Sequence, residues 1–418
     1  TSGRPGPVAV LCPADVMTEE VEAEVFAEAG FDRFPAARQR PCGEALARAA
    51  ELLKAASKPV IVAGGGSVLS GAAAEILALA ERLQAPVATT MNGRGVIADS
   101  HPLSVGVLGS STGGTLGSGR IANRVLQEAD VVLIAGSRTG QICYMDWQQP
   151  GPEAAIIHLD IDPEEPGRNF PTEVTLLGDV RDSLRELIAL PALAGEAAGA
   201  APDHEGEKAA WAEEFRDAAF AGTLPMRPER VLAEISERMT GDTVLVTDAS
   251  YVTGWAFSHI RNVGSGGRYL SPRGTGGIGW SLPAALGAKL ADPKAPVVCI
   301  TGDGAFGYVM AELETAARYR IPVVVVVFNN RTLGFQKHFE LKLFGSYREC
   351  DLLDIDHAAL AASLHCQGER VSEPDEIGPA IDRGLKSGGP YVIDAVIDSD
   401  AMAPILGLDQ VQGGAETH

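Results

Sequence analysis

Residues 297–330 constrain the fold more than any other stretch of the chain. Residues 297–300 are a β-rich apolar run that stops at Gly302-Asp303-Gly304, where glycines permit a tight turn and close backbone approach to a ligand. Over residues 309–320 the apolar Val309, Leu313, Ala316 and Ala317 recur at helical spacing, with Glu314 and Arg318 paired at i, i+4. Pro322 ends that helix. Residues 323–328 are then an almost uninterrupted apolar run, the pattern of a parallel strand covered on both faces, and the run stops at Asn329-Asn330. This predicts a βαβ unit whose two strands deliver their carboxyl ends to one sheet edge, where open α/β sheets bind ligands. Asp303 and Asn330 then meet. One carboxylate, one amide oxygen and nearby backbone carbonyls make an incomplete oxygen shell, suited to Mg²⁺ completed by phosphate oxygens and water. Taken singly, an Asp-Gly turn and an Asn-Asn turn are ordinary loop features.

Taken together, Gly302-Asp303-Gly304 followed after a helix by Asn329-Asn330 resembles the cofactor motif of thiamine diphosphate (ThDP) enzymes. The resemblance implies that Asp303 and Asn330 are side-chain Mg²⁺ ligands, that the backbone carbonyl of Thr332 is a third ligand, and that Gly302, Gly304 and Ala305 lie against the diphosphate. Residues 244–247 read as a strand ending at Asp248-Ala249-Ser250-Tyr251. By likeness to the family this is a second diphosphate loop, with Ser250 and Tyr251 as candidate donors and turn or packing roles as the alternative. Residues 274–285, GTGGIGWSLPAA, place four glycines in the first six positions, which suits a backbone pressed against a flat ring. They resemble the family segment that receives the aminopyrimidine. Gly276 then supplies the carbonyl facing the 4′-amino group, and Ile278 is the wedge that bends the cofactor, with core packing as its alternative. Gln336 falls where some 2-oxo acid decarboxylases place a proton-donating Glu, and an amide does not donate a proton in that way. Lys337 and His338 beside it are either carboxylate binders or solvated loop residues.

Other features bound the partners. Lys and Arg number 34 against 55 Asp and Glu, a formal charge of −21 that argues against nucleic acid or an anionic membrane surface. It also repels an anionic cofactor, so a metal and backbone amides are expected to hold the diphosphate. Six scattered cysteines without a CxxC pair are expected to be reduced thiols in a cytoplasmic protein. No apolar stretch approaches the roughly 18 residues of a membrane span.

In chain order, residues 3–16 hold a short strand at 8–11 and a Pro-Ala-Asp turn, and resemble the segment that closes the family's pyrimidine-binding domain. Residues 1–18 are therefore assigned as a remnant of that domain, whose body is expected upstream in a longer polypeptide or in a separate subunit. Residues 19–40 read as a linker and 41–189 as a central α/β domain: helix 44–56, strand 59–63, glycine turn 64–66, helix 72–83, strand 86–90, a long loop through 106–119, helix 122–129, and strands 131–135 and 156–161. Gly64-Gly65-Gly66 lacks the third glycine of a dinucleotide fingerprint, Leu69 standing in its place, so a plain strand-to-helix turn is favoured. His158-Leu159-Asp160-Ile161-Asp162 and Gly178-Asp179-Val180 resemble loops that hold an adenine nucleotide in the acetolactate synthase and oxalyl-CoA decarboxylase branch. FAD-binding acetolactate synthases carry Arg-Phe-Asp-Asp-Arg after the strand, whereas this chain has Arg138-Thr139-Gly140-Gln141-Ile142. Only the arginine matches, which argues against FAD. Residues 190–222 read as a second linker, 223–400 as the diphosphate-binding domain with a last strand at 391–397, and 401–418 as a tail.

The expected fold is thus α/β, with two doubly wound parallel-sheet domains. The expected function is acetolactate synthase-like: decarboxylation of a 2-oxo acid, then carboligation to a second carbonyl. A 2-oxo acid decarboxylase, a 2-hydroxyacyl-CoA or oxalyl-CoA lyase, and a non-catalytic paralogue are the alternatives. The family places its active site between two chains, so a homodimer or homotetramer is expected, incomplete without the pyrimidine domain and its glutamate.

Overall fold

The computed structural model describes residues 3–24, 30, 34–114, 117–195 and 204–405. Among these residues the chain builds two parallel six-stranded sheets flanked by helices. The first contains β1 (Pro59–Ala63), β2 (Val87–Thr89), β3 (Ser104–Val107), β4 (Val131–Ala135), β5 (Ala155–Asp160) and β6 (Val174–Leu177), in the order β3-β2-β1-β4-β5-β6. Side chains alternate between its faces as the strand period requires. Ile61 and Ala63 pack in the core with helices Gly43–Ala55, Ala73–Leu83 and Val180–Ala189, while Val60 and Val62 face helix Gly119–Gln127.

The second sheet contains β7 (Val244–Thr247), β8 (Tyr269–Leu270), β9 (Val297–Gly302), β10 (Val324–Asn329), β11 (Gln367–Val371) and β12 (Tyr391–Val396), in the order β11-β12-β10-β9-β7-β8. All six residues of β10 are buried. Val324, Val326 and Phe328 meet helices Pro228–Arg238, Tyr251–His259 and Pro374–Lys386, and Val325 and Val327 meet helix Ser281–Ala291 on the other face. Covering both faces is what makes the strand apolar throughout rather than alternating.

The two domains are docked by Arg94. Its guanidinium donates to the carbonyls of Ala256, Phe257 and Ile260 and pairs with Asp99 at 3.0 Å. A cation there satisfies the orphan carbonyls at the C-terminal end of helix Tyr251–His259.

Several sequence expectations are corrected. Residues 8–11 are not a strand; they are exposed and without regular structure, having no sheet to join, and the Pro-Ala-Asp turn opens the short helix Ala14–Thr18. The loop read through 106–119 begins inside β3, whose pattern Gly106 conceals. β6 and helix Val180–Ala189 escaped notice because β6 is a short edge strand with two of its four residues exposed. The single helix read at 309–320 is two, Asp303–Val309 and Glu312–Arg318, so Asp303 opens a helix rather than sitting in an isolated turn. Within residues 190–222 lies the 15-residue helix Glu205–Ala219, tied to the central domain by Arg120–Glu214 and Arg124–Glu207 ion pairs. Trp211, Phe215 and Ala219 pack it against Ala233 of the next helix. Parts of both expected linkers, 25–29, 31–33 and 196–203, and most of the tail, 406–418, lie outside the described residues.

Candidate active site

Parallel pairing sets Phe328 beside Gly302, so β9 and β10 end together and bring Asp303 to the Asn329-Asn330 turn. Asp303 is 9% exposed. One carboxylate oxygen accepts from the Gly304 N–H at 2.8 Å and the other from the Arg331 N–H at 2.7 Å. Burial pushes this carboxyl up to about 6, against the pull of those two N–H groups and His357. A divalent cation would supply the charge compensation that two backbone donors give only in part. The Asn330 amide oxygen accepts from the Thr332 N–H at 3.3 Å, and the Thr332 carbonyl accepts from Gly334 at 2.9 Å, leaving it a second lone pair. Among the described residues no group of three or more His, Cys, Asp and Glu is set to hold a metal. The mixed carboxylate, amide and carbonyl set fits a hard cation that takes its remaining oxygens from phosphate and water. Gly334 has to be glycine, since a Cβ there would lie 2.9 Å from the Tyr251 ring and 3.1 Å from the Asn330 amide nitrogen.

The residue that sequence reasoning passed over is Asp248. It is fully buried at the end of β7 and accepts from the N–H groups of Ala249, Gly279 and Ser281 at 2.8, 3.0 and 3.2 Å, and from the Ser281 hydroxyl at 2.5 Å. Thr301 of β9 adds a longer contact at 3.4 Å. One carboxylate thus staples the Ser250 loop, the glycine-rich segment and the strand that leads to Asp303. The available signal was an acid at the end of a buried strand.

Ser250 is exposed at φ 66°, an uncommon backbone state for a non-glycine residue, immediately before helix Tyr251–His259. Tyr251 is buried. Its hydroxyl bonds the His338 Nδ1 at 2.5 Å and accepts from the Ala403 N–H at 3.0 Å, so it is committed to packing as well as adjoining the Asn330 turn. Lys337 and His338 are neither solvated nor in a loop. They lie buried on helix Gly334–Phe344, Lys337 pairing with Asp400 at 2.7 Å. Gln336, one position earlier, is exposed. Gly276 has φ 67°, which glycine adopts without strain. Ile278 is 39% exposed, at odds with a core-packing role. Gly302 is half-buried and Ala305 buried.

In the central domain, Arg138, Asp160, Ile161, Asp179, Val180, Gly65 and Gly66 line one cavity of about 580 Å³, joined by Arg273 and Gly274 from the glycine-rich segment. The structure therefore brings the two suspected nucleotide loops together. Gly64 to Gly66 form the turn from β1 into helix Gly65–Ser70.

Comparison with known proteins agrees with this architecture. Residues 46–187 match the family model described as thiamine pyrophosphate enzyme, central domain, and residues 248–395 that described as thiamine pyrophosphate enzyme, C-terminal TPP binding domain. A probable acetolactate synthase large subunit of Methanocaldococcus jannaschii is 34% identical, covering 97% of this chain and 69% of its own length. The corresponding protein of Methanococcus aeolicus is 32% identical over 99% of this chain and 70% of its own. A glyoxylate carboligase of Escherichia coli O157:H7 is 30% identical over 95% and 68%. With both domain models matched in order and a relative of this similarity aligned almost throughout, the chain belongs to the thiamine pyrophosphate enzyme family.

Proposed function

We propose that the chain is the catalytic part of a ThDP- and Mg²⁺-dependent enzyme that decarboxylates a 2-oxo acid and joins the remaining fragment to a second carbonyl. The observation that carries the reading is the Arg331 N–H bond to Asp303, which holds the carboxylate against the Asn330 turn. Asp303, Asn330 and the Thr332 carbonyl hold the metal. Gly302, Gly304 and Ala305 on one side, and Ser250 with the Tyr251 backbone on the other, border the diphosphate. The Gly276 carbonyl would face the aminopyrimidine, and Ile278 would support the bound cofactor. Bound ThDP supplies a nucleophilic carbon and an electron-accepting ring. Gln336 offers no acidic proton, which favours a second carbonyl over protonation as the fate of the fragment. Relatives named acetolactate synthase and glyoxylate carboligase support carboligation.

A homodimer or homotetramer completes the site, the pyrimidine-binding domain of one chain facing the diphosphate domain of another. Supporting this, Tyr308, Leu343, Phe344 and Leu353 are 66–84% exposed on elements beside the metal turn, more apolar surface than solvated helices usually present. The described residues include no helix long and apolar enough to cross a membrane, and all six cysteines are unpaired, which supports a reducing, cytoplasmic setting.

The test is product analysis by NMR after incubating the protein, with the pyrimidine domain present, with ThDP, Mg²⁺ and a panel of 2-oxo acids. A coupled 2-hydroxy-ketone product is expected. Release of aldehyde alone would instead favour a simple decarboxylase, and an acyl-CoA requirement would favour a lyase.

A further inference from the structure

A second cavity, of about 290 Å³, lies where the central domain, helix Glu205–Ala219 and the cofactor domain meet. Its walls are apolar on three sides: Val105 and Ile121 from the central domain, Trp211 from the helix, and Phe257 from helix Tyr251–His259. Its polar lining holds the cations Arg94, Lys208 and Arg261 and the carboxylate Asp99, beside serine and asparagine side chains. Lys208 donates to the carbonyls of His101 and Ser104 at 3.2 and 3.1 Å, using two of its three protons. The Arg261 guanidinium lies over the faces of Trp211 and Phe215, 5.5 and 5.4 Å from the ring centroids, and bonds no side-chain or backbone acceptor among the described residues. The carboxylate on the wall, Asp99, is paired with Arg94 and also accepts from the Val263 N–H. Glu205 and Asp99 act on Lys208, and Glu237 on Arg261, through space without a hydrogen bond, and Arg216 adds positive charge beside Arg261.

In a chain of net charge −21, two cations without a bonded carboxylate around an apolar cavity reverse the prevailing field. Such a site recognises the opposite of what the rest of the surface attracts. We propose that this junction cavity binds a small organic monoanion, its carboxylate between Lys208 and Arg261 and its apolar part toward Trp211 and Ile121. The volume, just below the range of about 300–1,000 Å³ usual for drug-sized ligands, limits the ligand to a small one. The cationic groups supply the orientation that the apolar walls lack. Burial lowers the proton affinity of both Lys208 and Arg261, a cost that an anionic ligand would offset.

The site is distinct from the cofactor loops. Phe257 lies near the C-terminal end of the nine-residue helix that begins after Ser250, so the two ends are about 13 Å apart along its axis. The cavity therefore lies apart from the loops that border the cofactor.

The test is isothermal titration of the folded protein with phenylacetate and with its uncharged match phenylacetamide, for the wild type, Lys208→Gln and Arg261→Gln. Circular dichroism checks that each variant retains its fold. Saturable phenylacetate binding is expected, weakened about tenfold or more by loss of the ligand's charge or of either cation. Equal binding of acid and amide, unchanged affinity in both variants, or no saturable binding of phenylacetate overturns the proposal. Neither ThDP nor turnover enters the measurement, so its failure leaves the reading of the cofactor site untouched.

Discussion

Asp248 and Asp303 are both buried carboxylates at the ends of parallel strands, yet they answer to different donors. Asp303 receives two backbone N–H groups, and its remaining lone pairs are open to a cation. Asp248 receives three N–H groups and a hydroxyl from two loops, and its role is to hold those loops together. Asp248→Ala leaves the Gly279 and Ser281 N–H groups without their acceptor, so a loss of about 3 kcal/mol or more in unfolding free energy is expected from denaturant titration. Asp248→Asn keeps the shape and one acceptor oxygen. It should retain most stability while weakening ThDP binding about tenfold, because the glycine-rich segment loses its register with the Ser250 loop. Unaltered ThDP affinity in Asp248→Asn would show that the staple does not shape the cofactor site. Asp303 and Asn330 were singled out in the sequence because paired glycines and a doubled asparagine mark the ends of their two strands. Asp248 was not, because no such motif surrounds it and its partners Gly279 and Ser281 reach it only when the fold closes.

At the scale of elements, what the sequence disclosed follows burial. β4, β7 and β10 are buried at every position, and each was readable as an apolar run. β6 and β3 were missed because the first is an alternating edge strand and the second is interrupted by Gly106. The helix after β6 is held by its cap as well as by its apolar face. Asp179 accepts from the Asp182 N–H at 3.1 Å, from Ser70 Oγ at 2.9 Å, and from Arg38 at 2.7 Å. Asp179→Ala therefore removes an N-cap, worth about 0.5–2 kcal/mol, together with a largely buried ion pair. A destabilisation of about 2–3 kcal/mol in chemical denaturation is expected. A change below about 0.5 kcal/mol would mean that the helix is held by packing alone.

For the whole molecule, the central-domain cavity and the cofactor domain share a wall at Arg273 and Gly274, so what fills the one bears on the other. The segment that carries Phe-Asp-Asp in FAD-binding acetolactate synthases is Thr139-Gly140-Gln141 here, and the Thr139 carbonyl is engaged by Trp147 at 2.9 Å and Asn169 at 3.2 Å. The purified protein is accordingly expected to be colourless, or to carry a nucleotide other than FAD. A stoichiometric flavin absorption band would contradict that expectation. The pair of parallel-sheet domains and the meeting of Asp303 with the Asn330 turn were accessible from the sequence, whereas the strand order of the sheets was not. The domain-bridging helix Glu205–Ala219 was not, since its alanine- and glutamate-rich run reads as a solvated linker until Trp211 and Phe215 are seen packed. The proposed role of Asp303 and Asn330 is to hold a metal against the diphosphate. Its most direct test is calorimetric titration with ThDP in Mg²⁺ and in EDTA, for the wild type, Asp303→Ala and Asn330→Ala. Saturable binding that needs Mg²⁺ and falls about 100-fold or more in both variants is predicted, whereas binding of equal affinity in EDTA, or in either variant, would contradict the account.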